Sequence, residues 1–258
     1  MSLALDLYVP GYSWLHNLDP RVKLWGALLG LVSTFLLSTP LLQAGFFLAV
    51  LLLLRVSQIP WRTLVWLARQ LWVLVLLILV LQPFFTPSGL LLMAIGPLRL
   101  TLGGLERALS LSLRALVMAF ITGGVLFTTD QRSLVRAFVR LGLPYTWGLT
   151  LSLTLRFLPA IQSLFISVRE AQAARGWVAE GNPFDRARDY LPVLVAVIIG
   201  TLRLSDQLTL ALAARGLGTG GHRTVWQDLE MRRVDWVLLI VITLSFLSLL
   251  LWRLRVVV

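Results

Sequence analysis

The chain has 258 residues, 58% hydrophobic and 14% charged, with a mean hydropathy of +0.84 and a formal net charge of +11 from 23 Lys plus Arg against 12 Asp plus Glu. That composition excludes an ordinary soluble domain, a disordered tail and a free-standing enzyme fold, and it places the chain in a membrane. The basic excess is arginine except for Lys23; in a membrane protein it reads as cytoplasmic loops obeying the positive-inside rule, not as a nucleic-acid surface.

Met1 to Asp19 is too polar for a cleavable signal peptide. Asp19 followed by Pro20 reads as an N-cap and first helical residue. A helix from Pro20 to Ser38 would reach ~28 Å at ~1.5 Å per residue, just enough for a hydrocarbon core of ~30 Å. Ser38-Thr39-Pro40 breaks the apolar run, so the next helix, Leu41 to Arg55, makes a hairpin with the first. A third helix is expected from Thr63 to Gln82, stopping at Pro83. Pro83, Pro87, Gly89, Gly96 and Pro97 then make a loop over 83–104, with one apolar patch at 90–95 too short to span. A fourth helix runs from Leu105 to Phe127 and holds Arg114, the one charge well inside a span; its arginine either snorkels or bonds loop carbonyls, or else touches substrate.

From Thr128 to Arg233 apolar stretches alternate with arginines and stop signals. Asp130 opens a short helix with Arg132, Arg136 and Arg140 on one face, closed by Gly142-Leu143-Pro144. A longer helix follows from Tyr145 to Arg175, with Gly176 placed to cap it, and after a polar linker at Gly181 to Asp185 another runs from Asp189 to Arg215, stopped by Gly216. The last span is Trp236 to Trp252, entered from Asp235. With the N-terminus inside and spans near 20–38, 41–54, 63–82, 105–127 and 236–252, the arginines gather on the cytoplasmic side and only Arg99, Arg107, Arg253 and Arg255 lie opposite. The fold class is an all-α integral membrane protein. About five transmembrane helices combine with cytoplasmic or interfacial coupling helices, in the division 1–127, 128–233 and 234–258. The alternative is that 145–168 and 191–211 also cross, giving seven spans; Arg156 and Pro159 in the first, and Arg203 and Asp206 in the second, favour in-plane helices.

The absence of cysteine excludes disulfides, thiolate metal sites and thiol catalysis. No P-loop occurs, and Gly216, Gly218, Gly220 and Gly221 follow no strand, so a flexible helix end is expected there. His16 and His222 have no ligand-spaced partner, which argues against a metal site or a Ser-His-Asp arrangement. None of the five spans carries an interior Asp or Glu for proton relay. One pattern stands out: Ala173-Ala174-Arg175-Gly176 recurs as Ala213-Ala214-Arg215-Gly216, each at the end of a long helix. An arginine in a last turn complements the helix dipole and glycine supplies the left-handed residue, which is reason enough for either copy. The functional reading is that small neighbours allow close approach while a forked guanidinium enters a groove of a partner. Two copies suggest two docking points on a two-lobed partner.

Taken in order, His16-Asn17-Leu18-Asp19-Pro20-Arg21-Val22-Lys23, Thr128-Thr129-Asp130, Leu155-Arg156-Phe157-Leu158-Pro159, Ala171-Gln172-Ala173-Ala174-Arg175-Gly176 and the second Ala214-Arg215-Gly216 resemble the transmembrane T component of energy-coupling factor (ECF) importers, a branch of the ABC transporters (the CbiQ/EcfT-like family). The resemblance covers nearly the whole chain. It implies a non-catalytic subunit of a prokaryotic cell (inner) membrane that couples two ABC ATPase subunits to a small substrate-binding membrane subunit, the S component, for uptake of a vitamin or metal ion. It implies that Ala174, Arg175, Gly176, Ala214, Arg215 and Gly216 dock on the ATPases, that ATP and Mg are bound by those partners, and that this chain itself binds no cofactor, metal or nucleic acid. Asp19, Pro20, Arg21, Lys23, Arg114, Arg156 and Pro159 are further structural or functional candidates. The apolar faces at 145–168 and 191–211 would seat the S component. Two other classes remain open: an ABC permease lining its own substrate path, and an intramembrane lipid-modifying enzyme using His16, Asp19, Arg114 or Asp130.

Overall fold

The computed structural model describes residues 8–11, 13–85, 91–95, 98–177, 188–217 and 231–257. Its helices are α1 (Pro20–Leu36), α2 (Pro40–Val56), α3 (Trp61–Phe85), α4 (Leu102–Thr128), α5 (Gln131–Arg140), α6 (Tyr145–Ala174), α7 (Leu191–Ala214) and α8 (Arg233–Val257). The expected linker at Gly181 to Asp185, together with His222, Gly218, Gly220 and Gly221, lies outside the described residues. The chain forms two compact units, residues 1–142 with 229–258, and residues 143–228. The short basic helix α5 therefore belongs with the first unit, where it packs on α1, and the second unit begins only at Leu143.

In the first unit α4 is the central helix, packed by α1, α2 and α3, while α8 packs on α1. The core gathers Leu54, Ile59, Leu64, Phe120 and Phe127, with Phe47 edge-on to Phe120 at 5.3 Å between ring centroids. Small residues set the spacing: a Cβ on Gly124 would stand 2.5 Å from Leu54 Cδ2, and one on Gly123 2.9 Å from Leu67 Cδ2. Close backbone approach of this kind is how helices associate where lipid removes the hydrophobic drive between them.

Two local expectations are corrected. Pro83 does not stop α3; it lies buried inside the last turn, and the helix continues to Phe85. A proline so near a helix end disturbs few backbone bonds, and in a membrane neighbouring helices compensate for the freed carbonyl. The loop expected over 83–104 contains an antiparallel pair, β1 (Leu91–Ile95) and β2 (Leu98–Thr101), with Ile95 opposite Leu98. β2 leads straight into α4, whose N-cap Thr101 accepts the Gly104 N–H at 3.2 Å. Gly104 faces the end of α3 so closely that a Cβ would lie 2.7 Å from the Pro83 carbonyl oxygen. Backbone cannot yield as a side-chain tip does, so Gly104→Ala is expected to destabilise the first unit by about 1–3 kcal/mol, read as a lower unfolding temperature in detergent.

In the second unit α6 packs on α7, with Gly200 against Leu164, where an added Cβ would stand at 2.9 Å. Arg156 and Pro159 do not interrupt the helix: α6 runs for 30 residues through both. By length and apolar composition five helices can cross a membrane, namely α3, α4, α6, α7 and α8. α1 and α2, at 17 residues each, reach only ~26 Å, whereas the sequence reading counted both as spans and set α6 and α7 aside.

Candidate functional site

Both Ala-Arg-Gly copies close their helices with the same hydrogen-bond pattern. At the end of α6 the Gly176 N–H donates to Ala173 O at 3.0 Å and the Trp177 N–H to Gln172 O at 3.0 Å, with Gly176 at φ +84°. At the end of α7 the Gly216 N–H donates to Ala213 O at 2.9 Å and the Leu217 N–H to Leu212 O at 3.0 Å, with Gly216 at φ +78°. This is the Schellman arrangement, which satisfies the last carbonyls and requires a residue that tolerates left-handed backbone. Its consequence is positional: Arg175 and Arg215 occupy equivalent C-cap sites with φ near −89° and ψ near 10°. Both side chains are exposed, as are Ala173, Ala174, Ala213 and Ala214, and neither guanidinium pairs with another described residue.

The two tips stand at opposite ends of α7. Trp177 Nε1 donates to Asp189 O at 2.6 Å and its ring meets Tyr190 edge-on, which ties the Arg175 tip to the start of α7. Arg215 follows the end of the same helix, and 24 residues of α7 measure ~36 Å.

A second constellation joins two of the segments singled out in the sequence. Asp19 caps α1, its Oδ1 accepting the Arg21 N–H at 2.9 Å and lying 3.9 Å from Arg21 Nε, and Pro20 opens the helix. Lys23, one turn on, is buried, and its Nζ donates to Thr128 O at 2.9 Å, His16 O at 3.2 Å and Thr129 Oγ1 at 3.3 Å. Residues 16–23 and 128–129 thus meet across more than a hundred positions. Asp235, which the sequence reading took only as the entry to the last helix, completes this knot. Its Oδ2 accepts the Arg232 N–H at 2.8 Å, a capping-box contact at the start of α8, while Oδ1 accepts the Asp19 N–H at 3.1 Å. A lone carboxylate immediately ahead of a long apolar run was the available signal.

The remaining candidates are placed as follows. His16 is structural: its Nε2–H donates to Val9 O at 3.0 Å and Nδ1 accepts the Ser13 hydroxyl at 2.6 Å, which leaves no ring nitrogen for chemistry. Asp130 is the N-cap of α5. Arg114 reaches the turn between α1 and α2, donating from Nη2 to Leu37 O at 3.5 Å and lying 5.1 Å from the centroid of the Phe35 ring. Arg156 and Pro159 are exposed on α6. Among the described residues no group of three or more His, Cys, Asp or Glu side chains could hold a metal ion.

Apolar helices of spanning length, bound together by small residues and a few buried polar ties, define a multi-pass α-helical membrane protein. The family model described as cobalt transport protein (CbiQ) matches residues 11–226. The chain is 32% identical to the energy-coupling factor transporter transmembrane protein of Listeria innocua, with 98% of each covered. It is 30% identical to the protein of that name in Brevibacillus brevis, covering 93% of this chain and 97% of the relative, and 30% identical to that of Acidaminococcus fermentans, covering 91% and 90%. The chain belongs to this family of transmembrane (T) components of energy-coupling factor transporters.

Proposed function

We propose that the chain is the non-catalytic coupling subunit of an ECF-type importer, carrying motion from two ABC ATPase subunits to a small substrate-binding membrane subunit that takes up a vitamin or a metal ion. ATP and Mg belong to the ATPases in this reading. The observation that carries it is the repeated Schellman cap, which presents two exposed guanidiniums, neither paired among the described residues, on the helix ends. Tips ~36 Å apart, the length of α7, are too distant for one groove and suit one groove on each of two lobes.

The flanks of the same helices supply the other half of the reading. Only Gly148 of α6 and Val193 of α7 are buried, while Leu194, Val195, Ile198 and Leu202 of α7 are exposed. An apolar surface of that extent needs lipid or a protein partner, and a hydrophobic S component would cover it. Exposed Arg203, Asp206 and Gln207 on α7, and Arg156 on α6, favour helices lying in the interface over spanning ones. The N-terminus and the arginine tips then face the cytoplasm, in keeping with the positive-inside rule.

Purification in gentle detergent followed by mass identification is expected to recover two related ATPases and one small hydrophobic subunit with the chain. Recovery of ATP-driven transport by the chain and ATPases alone would replace this reading with a permease that lines its own path.

A further inference from the structure

At the end of the first unit remote from the Lys23 knot, three arginines gather, with Glu106 beside Arg107 as the neighbouring acid on α4. Arg253 Nη1 donates to Phe35 O at 2.6 Å and Arg114 Nη2 to Leu37 O, so both reach the last carbonyls of α1. Arg107, Ser110 and Arg114 share one face of α4 by i, i+3, i+7 spacing, and Ser110 is tied through Gln43 to the same Leu37 carbonyl. None of the three arginines pairs with a carboxylate among the described residues. Capping α1 takes one donor from each of Arg114 and Arg253, out of five per guanidinium, and Arg114 Nε is buried with no partner among the described residues.

Beside this cluster lies an apolar cleft of about 430 Å³, walled by α1, α2, α4 and α8, with Gly26, Gly30 and Ser33 along one side and Ile121, Ser245 and Leu249 among the others. The residues lining the cleft stop at Ser33, Ile121 and Leu249, short of the arginines. Arg253 follows Leu249 by one turn on the same stripe of α8, and Arg114 precedes Ile121 by two turns on α4. From Val22 to Ser33 the cleft follows α1 for ~17 Å, about half of a ~30 Å hydrocarbon core and so the reach of one leaflet's acyl chain. Its other end holds Lys23, whose ammonium is already committed to carbonyls. Exposed Phe35 and Trp252 flank the arginine end, where aromatic side chains mark the headgroup boundary.

We propose that the first unit binds one membrane phospholipid, with its phosphodiester among Arg107, Arg114 and Arg253 and one acyl chain in the cleft. A phosphate supplies the missing counter-charge in bidentate form, and the chain fills a groove that hydrocarbon, not water, must occupy. The site is independent of the docking reading above, since it shares no residue with either Ala-Arg-Gly tip.

The test is photolabelling of the full chain, with its accompanying subunits, in nanodiscs containing phosphatidylglycerol that carries a diazirine on one acyl chain. Crosslinks are expected on peptides of α1 and α8. Arg114→Gln/Arg253→Gln should reduce them about tenfold or more. Ser245→Phe should do the same by filling the cleft from an exposed position while leaving the arginine contacts in place. Arg255→Gln, off the stripe, should label like the parent, and excess inorganic phosphate should not compete. Parental labelling in both the arginine pair and Ser245→Phe overturns the proposal. So does suppression by inorganic phosphate, which would assign the arginines to a free anion, or crosslinking of an accompanying subunit across the cleft, which would make it a protein interface.

Discussion

Arg175→Glu/Arg215→Glu is expected to abolish association with the ATPases and with it ATP-driven uptake, while the chain keeps its fold. The cap survives because its hydrogen bonds are backbone to backbone, from Gly176 to Ala173 and from Gly216 to Ala213, and the replaced side chains are exposed. A glutamate at a helix C-terminus opposes the dipole by only about 0.3–1 kcal/mol. In a desolvated groove that bonds a guanidinium the cost is larger, about 2–5 kcal/mol for each disrupted charge pair. Even the lower figure taken at both tips is a loss of roughly a thousandfold in affinity. Each single variant should keep one anchor and fall in between. Arg175→Lys should recover only part of the binding, since an ammonium cannot form the bidentate fork. Co-purification and uptake in proteoliposomes measure both effects, and undiminished uptake by the double variant would remove the docking role from these residues.

The largest effect on stability is expected from Lys23→Met, about 3 kcal/mol or more. Methionine fills the space of the lysine stem, so little of the loss comes from a cavity. What disappears is a charged donor to Thr128 O, His16 O and Thr129 Oγ1, in a site where the lysine is only 8% exposed. The two carbonyls and the Thr129 hydroxyl then lose that donor. Each bond to a charged donor contributes about 1.5–3 kcal/mol. Asp235→Asn, which keeps an acceptor but not the charge, should lie between the parent and Lys23→Met. Thermal unfolding in detergent orders the three proteins; a Lys23→Met shift smaller than that of Gly104→Ala would mean that the knot is hydrated and contributes little.

Sequence patterns were most legible where the physics is local. Asp19-Pro20 opens α1, Asp130 opens α5, and Gly142, Gly176 and Gly216 all take positive φ at helix ends, because each of these choices is decided within four or five residues. Pro83 was misjudged for the converse reason: proline disfavours a helix locally, but here a helix end packed against Gly104 tolerates it. The strands β1 and β2 were missed because a four- or five-residue apolar run carries no period that separates strand from helix.

Composition and hydropathy alone determined that the chain is a helical membrane protein, since a backbone in hydrocarbon must satisfy its own hydrogen bonds. Motif order along the chain pointed to its family, and the short-range rules of capping located the two arginine tips. Only the tertiary structure decided that Asp235 reaches Asp19, that Lys23 bridges residues 16 and 128, and that Arg114 and Arg253 converge on the end of α1. Such contacts join positions up to 218 residues apart. They depend on which helix faces meet, a matter settled by small residues such as Gly124 against Leu54, and no local spacing encodes that choice.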